Sequence, residues 1–432
     1  MCHCARLDSN SFPLTLTYSF LILCQPIDLQ ERGDVMQRII SIDVLRGFSL
    51  TGMVVCHYML EYGDAHAPES PLYFIMDHAL GDFGAVWFLL LVGVSQVVSG
   101  ERKKGIGEIK LMKKAFLRGA YVFAAGLLMA ALAWGPKNMW NWDILTLIGS
   151  AYIVLYFCRF LPSWAILLMA AFIVFMTPWL RSTVDFAADW GGKFIQTPVI
   201  SDYLPGILVE PAGEYEPSWR LPEMIRGFFL SGFFPIFPWL VFPLIGFVMG
   251  RRIVAKQMIR DLPFLLLIGF ALIFLAFTTA YAGLLRPGSS HITDYIAPFS
   301  MFPDSNTMVY LQVGQAVALF ALMYYYYDGR DTVPRTGVFA AWFQRMSRHS
   351  LTVYFVHYPL IAWPLWVIYL FTGRNPEFDL MGALPAFVLG LAAVALFLMC
   401  LKAWERRGNK YSLEWGLKKM TEDTAGPKGR SQ

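Results

Sequence analysis

Residues 38–57 read RIISIDVLRGFSLTGMVVCH, and this stretch decides what kind of chain it opens. It begins on charge, with Arg38, Asp43 and Arg46, and passes without a break into an apolar run from Phe48 to Tyr58. On a helix, Asp43 and Arg46 are three apart, share a face and are placed to pair. His57 falls ~16 Å along the axis beyond Arg46. A helix that only anchors a protein needs neither the charged cluster nor the deep histidine, because ionisable groups inside a bilayer are costly. The stretch therefore reads as a membrane helix that carries function.

Composition agrees. The chain has 432 residues, of which 56% are hydrophobic and 15% charged. Soluble chains are usually about 25% charged, so this one has too little polar surface to cover a soluble multi-domain protein. Its 35 Phe, 20 Tyr and 14 Trp suit a polytopic protein with aromatic belts at both interfaces. The six cysteines, Cys2, Cys4, Cys24, Cys56, Cys158 and Cys400, show no metal-ligand or paired spacing beyond the Cys2/Cys4 pair. No disulfide framework and no metal are expected.

Working outward, apolar runs recur near 42–60, 82–100, 114–134, 142–159, 163–180, 228–250, 262–284, 305–327, 349–371 and 382–402. Each is close to the ~20 residues that cross a hydrocarbon core. The fold class is all-α, a polytopic integral membrane bundle of about ten transmembrane helices. Charge gives an independent check. With the Arg38 end inside, the inner segments collect Arg102, Lys103, Lys104, Lys110, Lys113, Lys114, Arg118, Arg159, Arg251, Arg252, Lys256, Arg260, Arg345, Arg348, Arg406 and Arg407. The outer ones hold mostly acids, including Glu61, Asp64, Glu69, Asp77, Asp185, Asp189, Glu214, Glu216 and Glu223. That is the positive-inside pattern, with both termini cytoplasmic and the protein placed in the cytoplasmic membrane.

Residues 1–35 read as a poorly ordered N-terminal extension, and 36–404 as the transmembrane domain. Residues 405–432 read as a charged cytoplasmic tail. Segment 181–227 is too long and too rich in Pro and Gly for an ordinary connector, and reads as an outer lid-like loop.

Three stretches carry unusual polar or turn chemistry. In residues 71–95, Asp77 and His78 stand just outside the second helix and Asp82 lies in its first turn. Asp82 suits the helix dipole; Asp77 or Asp82 could equally orient His78 as a general base. In residues 233–252, Pro235, Pro238 and Pro243 break the start of a helix. Irregular backbone survives in lipid only where it is buried or lines a cavity, so Trp239 is a pocket-wall candidate or an interfacial anchor. In residues 346–366, Arg348, His349 and Ser350 lead into a helix that carries Tyr354 and His357. A lone buried histidine is often only a packed polar residue; two intramembrane histidines, His57 and His357, with His78 nearby favour a functional reading.

These motifs resemble, in order, those of the membrane-bound acyltransferases related to heparan-alpha-glucosaminide N-acetyltransferase. More distantly they resemble the O-acyltransferases of bacterial envelopes. The opening signature is matched by Arg38, Ser41, Asp43, Leu45, Arg46, Gly47 and His57. The second-helix motif is matched by Trp87 through Gly93 and Ser95. Phe234, Pro235, Pro238 and Trp239 match a third motif, and Ser347, Arg348, Ser350, Leu351, Tyr354, His357 and Pro359 a fourth. Ser347 replaces a glycine of the last motif. His78 matches the active histidine of the lysosomal enzyme by position, without its Trp-Asn context, so sugar-amine specificity does not carry over.

The resemblance implies transfer of an acyl group from acetyl-CoA or another acyl-CoA to a glycan-like or small-molecule acceptor. His78, His57, Asp82 and Asp77 are the catalytic candidates, and the base stays open between His78 and His57. Arg38, Asp43, Arg46, Arg348, Ser350 and His357 are the candidates for binding acyl-CoA, since guanidinium–phosphate pairs are strong. Trp87, Pro235, Pro238, Trp239 and Tyr354 are the candidates for the pocket wall. Membrane lipid is an expected partner and nucleic acid is not; a homo-oligomer is compatible. A transporter or flippase, or a non-catalytic membrane partner, is the competing class.

Overall fold

The computed structural model describes residues 38–64, 66–102, 105, 107–184, 186–190, 196–198, 209–211, 215–284, 292–297, 299–302, 304–330, 337–374 and 379–423. The expectation for residues 1–35 lies outside these, as do residues 185, 191–195, 199–208 and 212–214 of the lid-like loop.

The described chain is helical, apart from a two-stranded antiparallel pair, β1 (Gln196–Pro198) with β2 (Val209–Pro211). Among the described residues nine helices are long and apolar enough to cross a membrane. They are α1 (Ile40–Tyr62), α2 (Pro71–Glu101), α3 (Glu108–Trp134), α5 (Ser163–Thr183), α6 (Leu221–Val254), α7 (Leu262–Leu284), α8 (Asn306–Tyr327), α10 (Ser350–Thr372) and α11 (Ala383–Arg406). With the shorter apolar α4 (Ile144–Cys158) they form a polytopic membrane bundle of about ten spans. The fourth and fifth spans are joined by a tight connection, with α4 ending at Cys158 and α5 starting at Ser163.

Three features depart from the sequence reading. The second span starts at Pro71, not near 82. Ser70 caps it by accepting from Leu72 N at 3.2 Å, and Pro at the first helical position leaves no donor unpaired. His78 consequently sits inside the helical run, in a π-helical turn over Asp77–Gly81. An amphipathic helix, α9 (Val338–Arg348), precedes α10. A further helix, α12 (Leu413–Asp423), forms within the segment read as tail.

α1 is the central helix, packed on α2, α9, α10 and α11. Close approach is purchased with glycine. A Cβ at Gly47 would collide with the Phe343 carbonyl of α9, and one at Gly246 with the Leu90 carbonyl of α2. Small residues at such crossings let membrane helices pack backbone to backbone.

Two helix starts have no side-chain cap of their own and borrow one from elsewhere. The Asp328 carboxylate, just past α8, accepts from Ile40 N at 2.7 Å and Ser41 N at 2.9 Å at the start of α1. Glu414 of α12 accepts from Leu351 N at 2.8 Å and Thr352 N at 3.0 Å at the start of α10. Both place a carboxylate on orphan amides at the positive end of a helix.

α6 is interrupted, as its prolines imply. A π-helical turn covers Gly227–Ser231, and Phe237 leaves the helical region at φ −101°, ψ 114°. Arg181, 1% exposed, reaches into the break. It donates to the carbonyl oxygens of Leu230 at 3.2 Å and Asp304 at 2.6 Å. The Leu230 carbonyl, at the break in the helix, is thereby satisfied by a buried guanidinium, which also ties in the Asp304 carbonyl ahead of α8.

Candidate active site

A cavity of about 1710 Å³ opens within the bundle. α1 supplies one wall through Ser49, Met53, Cys56, His57, Leu60 and Glu61. These recur at helical spacing, so a single face of α1 lines the cavity over ~18 Å. The π-helical turn of α2 adds Asp77 and His78, and Asp82 follows directly after it; α10 adds Tyr354 and Tyr358. Trp190, Tyr215, Glu216 and Trp219 come from the described part of segment 181–227, and Phe233, Phe234 and Phe302 complete an aromatic rim. That segment is pinned. Asp189, on a short helix over Phe186–Asp189, pairs with Arg226 and accepts from Ser231 Oγ at 2.5 Å. Trp190 Nε1 donates to Ser231 O at 3.0 Å.

The cavity brings together every sequence-expected catalytic candidate: His57, Asp77, His78 and Asp82 all line it. His78 Nδ1 lies 3.0 Å from Asp82 Oδ2, and its ring packs edge-on against Phe74 at 4.7 Å. His57 Nδ1 lies 2.9 Å from His357 Nε2, with the rings 16° from parallel. Tyr358 packs on His57 at 4.7 Å and donates its hydroxyl to Glu61 Oε1 at 2.8 Å.

The candidates for acyl-CoA binding are placed elsewhere. His357, fully buried, stands behind His57 and not with the arginines. Asp43 does not take Arg46. Its oxygens accept from Arg38 Nε at 2.5 Å and Ser347 Oγ at 3.0 Å. That leaves the Arg46 fork to Ser95 Oγ, 2.5 Å from Nη2. Arg348 Nη2 donates to Glu405 Oε1 at 2.7 Å, and Ser350 opens α10. The α1 lining begins at Ser49, three residues past Arg46, so this basic cluster sits below the floor of the cavity.

Of the pocket-wall candidates, Tyr354 faces the cavity. Trp87, Pro235, Pro238 and Trp239 are buried behind its lining; Trp87 Nε1 donates to Gln315 Oε1 at 2.6 Å. Phe233 and Phe234 form the surface beside the prolines.

Asp143 was not singled out in the sequence, and it lines the cavity just ahead of α4. Its Oδ1 caps the helix by accepting from Leu145 N at 3.0 Å, and its Oδ2 accepts from the Tyr354 hydroxyl at 2.8 Å. Burial pushes its carboxyl up to about 6, with those hydrogen bonds opposing. Asn141-Trp142-Asp143 before an apolar run is a helix-start signal that could have marked it. Asp304, also unforeseen, is 1% exposed; burial raises its carboxyl well above the usual range, with Arg181 opposing and Asp82 reinforcing. Among the described residues no group of three or more His, Cys, Asp or Glu is placed to hold a metal ion.

Chemically, the arrangement offers two imidazoles with different backing in one cavity, one held by a carboxylate and one by another imidazole. Residues 38–280 match the family model described as heparan-alpha-glucosaminide N-acetyltransferase, catalytic. A search of curated proteins finds no match to the chain.

Proposed function

The chain belongs to the heparan-alpha-glucosaminide N-acetyltransferase catalytic family, and on that premise we propose that it moves an acyl group, acetyl foremost, from cytoplasmic acyl-CoA to an amine or hydroxyl of a glycan-like acceptor at the outer face. One observation carries the reading: His57, His78 and Asp82 face a single cavity that reaches from Ser49 on α1 to the aromatic rim.

In this proposal the Arg38 end is cytoplasmic. Arg38, Arg46 and Arg348 meet the CoA phosphates there, with Asp43 orienting Arg38 and Ser350 at the start of α10 beside them. The acceptor enters between Trp190, Tyr215 and Trp219, whose ring faces suit a sugar or other small polar molecule. Acyl transfer needs a base for the attacking group and a proton for the leaving sulfur. The imidazoles of His78 and His57 supply this acid–base chemistry. Asp82 holds His78 through Nδ1, and Asp77 lies in the same turn.

The test is transfer of radiolabelled acetyl from acetyl-CoA to a panel of amino sugars and polyols by the purified protein. The His57→Ala/His78→Ala double variant serves as control. Acceptor-dependent transfer by the parent protein, lost in the double variant, supports the reading. Solute or proton flux in proteoliposomes without acyl-CoA binding replaces it with a transporter.

A further inference from the structure

His357 has no exposed surface, and both of its ring nitrogens are engaged. Nδ1 lies 2.5 Å from the backbone carbonyl oxygen of Tyr354, an atom that can only accept. The proton therefore sits on Nδ1. In a neutral imidazole the other nitrogen is then a lone pair. That nitrogen, Nε2, lies 2.9 Å from His57 Nδ1, and the contact is a hydrogen bond only if His57 carries its proton on Nδ1. Two linked bonds thus dictate one tautomer of His57, with Nε2 unprotonated on the ring edge away from His357.

A doubly protonated His357 would reverse this order. It would bury an imidazolium at 0% exposure against a carbonyl and a second imidazole, with no carboxylate bonded to it. Desolvating an unpaired charge is far costlier than burying the neutral ring. The tilt of His57 is held as well, by the Tyr358 ring at 4.7 Å.

Resting on the transferase reading above, the geometry points to His57 Nε2 as the proton acceptor for the attacking amine or hydroxyl, and to His357 as the positioning residue that keeps that nitrogen unprotonated. As the new C–N or C–O bond forms and the thioester C–S bond breaks, the proton of the nucleophile moves to His57 Nε2. His78, which with a carboxylate on Nδ1 can hold a second proton on Nε2, delivers that proton to the departing sulfur and leaves CoA as the thiol. One proton then passes from His57 to His78 through solvent, and both rings return to their starting states. The division follows from the backing groups: a carboxylate supports the proton-bearing ring, and a neutral imidazole supports the proton-free one.

Glutamine discriminates, because its amide can donate to the Tyr354 carbonyl and accept from His57 Nδ1 as the imidazole does. The experiment compares wild type, His357→Gln and His357→Ala in nanodiscs. It reads transfer kinetics with acetyl-CoA and an active acceptor, and ¹⁵N NMR of histidine-labelled protein with His57 assigned by substitution. The expected result is an unprotonated His57 Nε2 in wild type and His357→Gln, with kcat in the glutamine variant within about 3-fold. His357→Ala should mix the tautomers and lower kcat by about 10²-fold at unchanged KM for acetyl-CoA, the scale of a misplaced catalytic group. A protonated His57 Nε2 in wild type overturns the inference, as does equal loss of kcat in both variants with the tautomer retained. If no acceptor supports transfer by the wild type, the transferase reading fails, while the spectra still decide whether His357 fixes His57.

Discussion

His78 Nδ1 stands 3.0 Å from Asp82 Oδ2 across one turn of the same helix, and that turn is π-helical. The extra residue of a π turn re-aims side chains, and such turns concentrate at functional sites. Here it directs His78 and Asp82 into the cavity they share with His57. His78→Ala should lower kcat by about 10²–10⁴-fold, the range for an acid–base group. Asp82→Asn, which keeps a hydrogen bond but not the charge, should fall between that variant and wild type. Acetyl-CoA binding, followed by calorimetry on the same preparations, should be retained in both. Wild-type turnover by His78→Ala would remove this residue from the chemistry.

Arg46 tests the other end of the proposal. Its guanidinium is directed at Ser95, not at Asp43, so its planar fork keeps donors free of any carboxylate bond. Arg46→Lys preserves charge and loses the fork. Acyl-CoA binding is expected to weaken by about 1–3 kcal/mol, the value of a charge-assisted hydrogen bond, with the folded protein intact by size exclusion. Unchanged affinity would place the CoA phosphates elsewhere.

Much of this arrangement could be read from the residues themselves. Ten apolar runs of spanning length, with bases gathered at alternate ends, define a membrane bundle because lipid leaves few other solutions. His57, His78 and Asp82 stood out because each is polar within or beside an apolar run. Contacts between residues distant in sequence are not legible in it. Asp328 meets Ile40 and Glu414 meets Leu351 only once the bundle is assembled. Arg181 reads in sequence as the first residue of the lid-like segment 181–227, yet it fills the break in α6. The spacing of Asp43 and Arg46 allowed a pair, but an i,i+3 relation says nothing of competitors, and Arg38 and Ser347 each take one oxygen of the carboxylate.

The borrowed cap on α10 makes α12 part of the fold. Glu414 accepts from two backbone amides and, at 2.5 Å, from Thr352 Oγ1. Glu414→Ala should destabilise the protein by about 1–2 kcal/mol, as loss of a charged helix cap does. Glu414→Gln should cost less, because its amide oxygen can still accept. Thermal unfolding in detergent reads the difference, and ending the chain before α12 should cost at least as much as the alanine substitution. Equal unfolding temperatures for wild type and Glu414→Ala would show that the cap contributes nothing.

Asp143 should give the protein a distinctive response to pH. Its carboxyl rises in the folded protein from an ordinary 3.8 to about 6, chiefly by burial. A carboxyl with a raised folded value binds its proton more tightly when folded. Its contribution to stability is therefore complete below about pH 4 and is lost as pH climbs through about 6. The full swing is about 3 kcal/mol, at 1.36 kcal/mol per unit. Asp143→Asn retains an oxygen for Leu145 N and an amide for the Tyr354 hydroxyl, and it cannot ionise. Relative to wild type the variant should gain thermal stability between pH 4.5 and 7.5, with most of the gain complete by pH 7. Unfolding temperatures of both proteins, taken across that range in one detergent, decide the point. Parallel curves would mean that Asp143 keeps an ordinary carboxyl in the folded state.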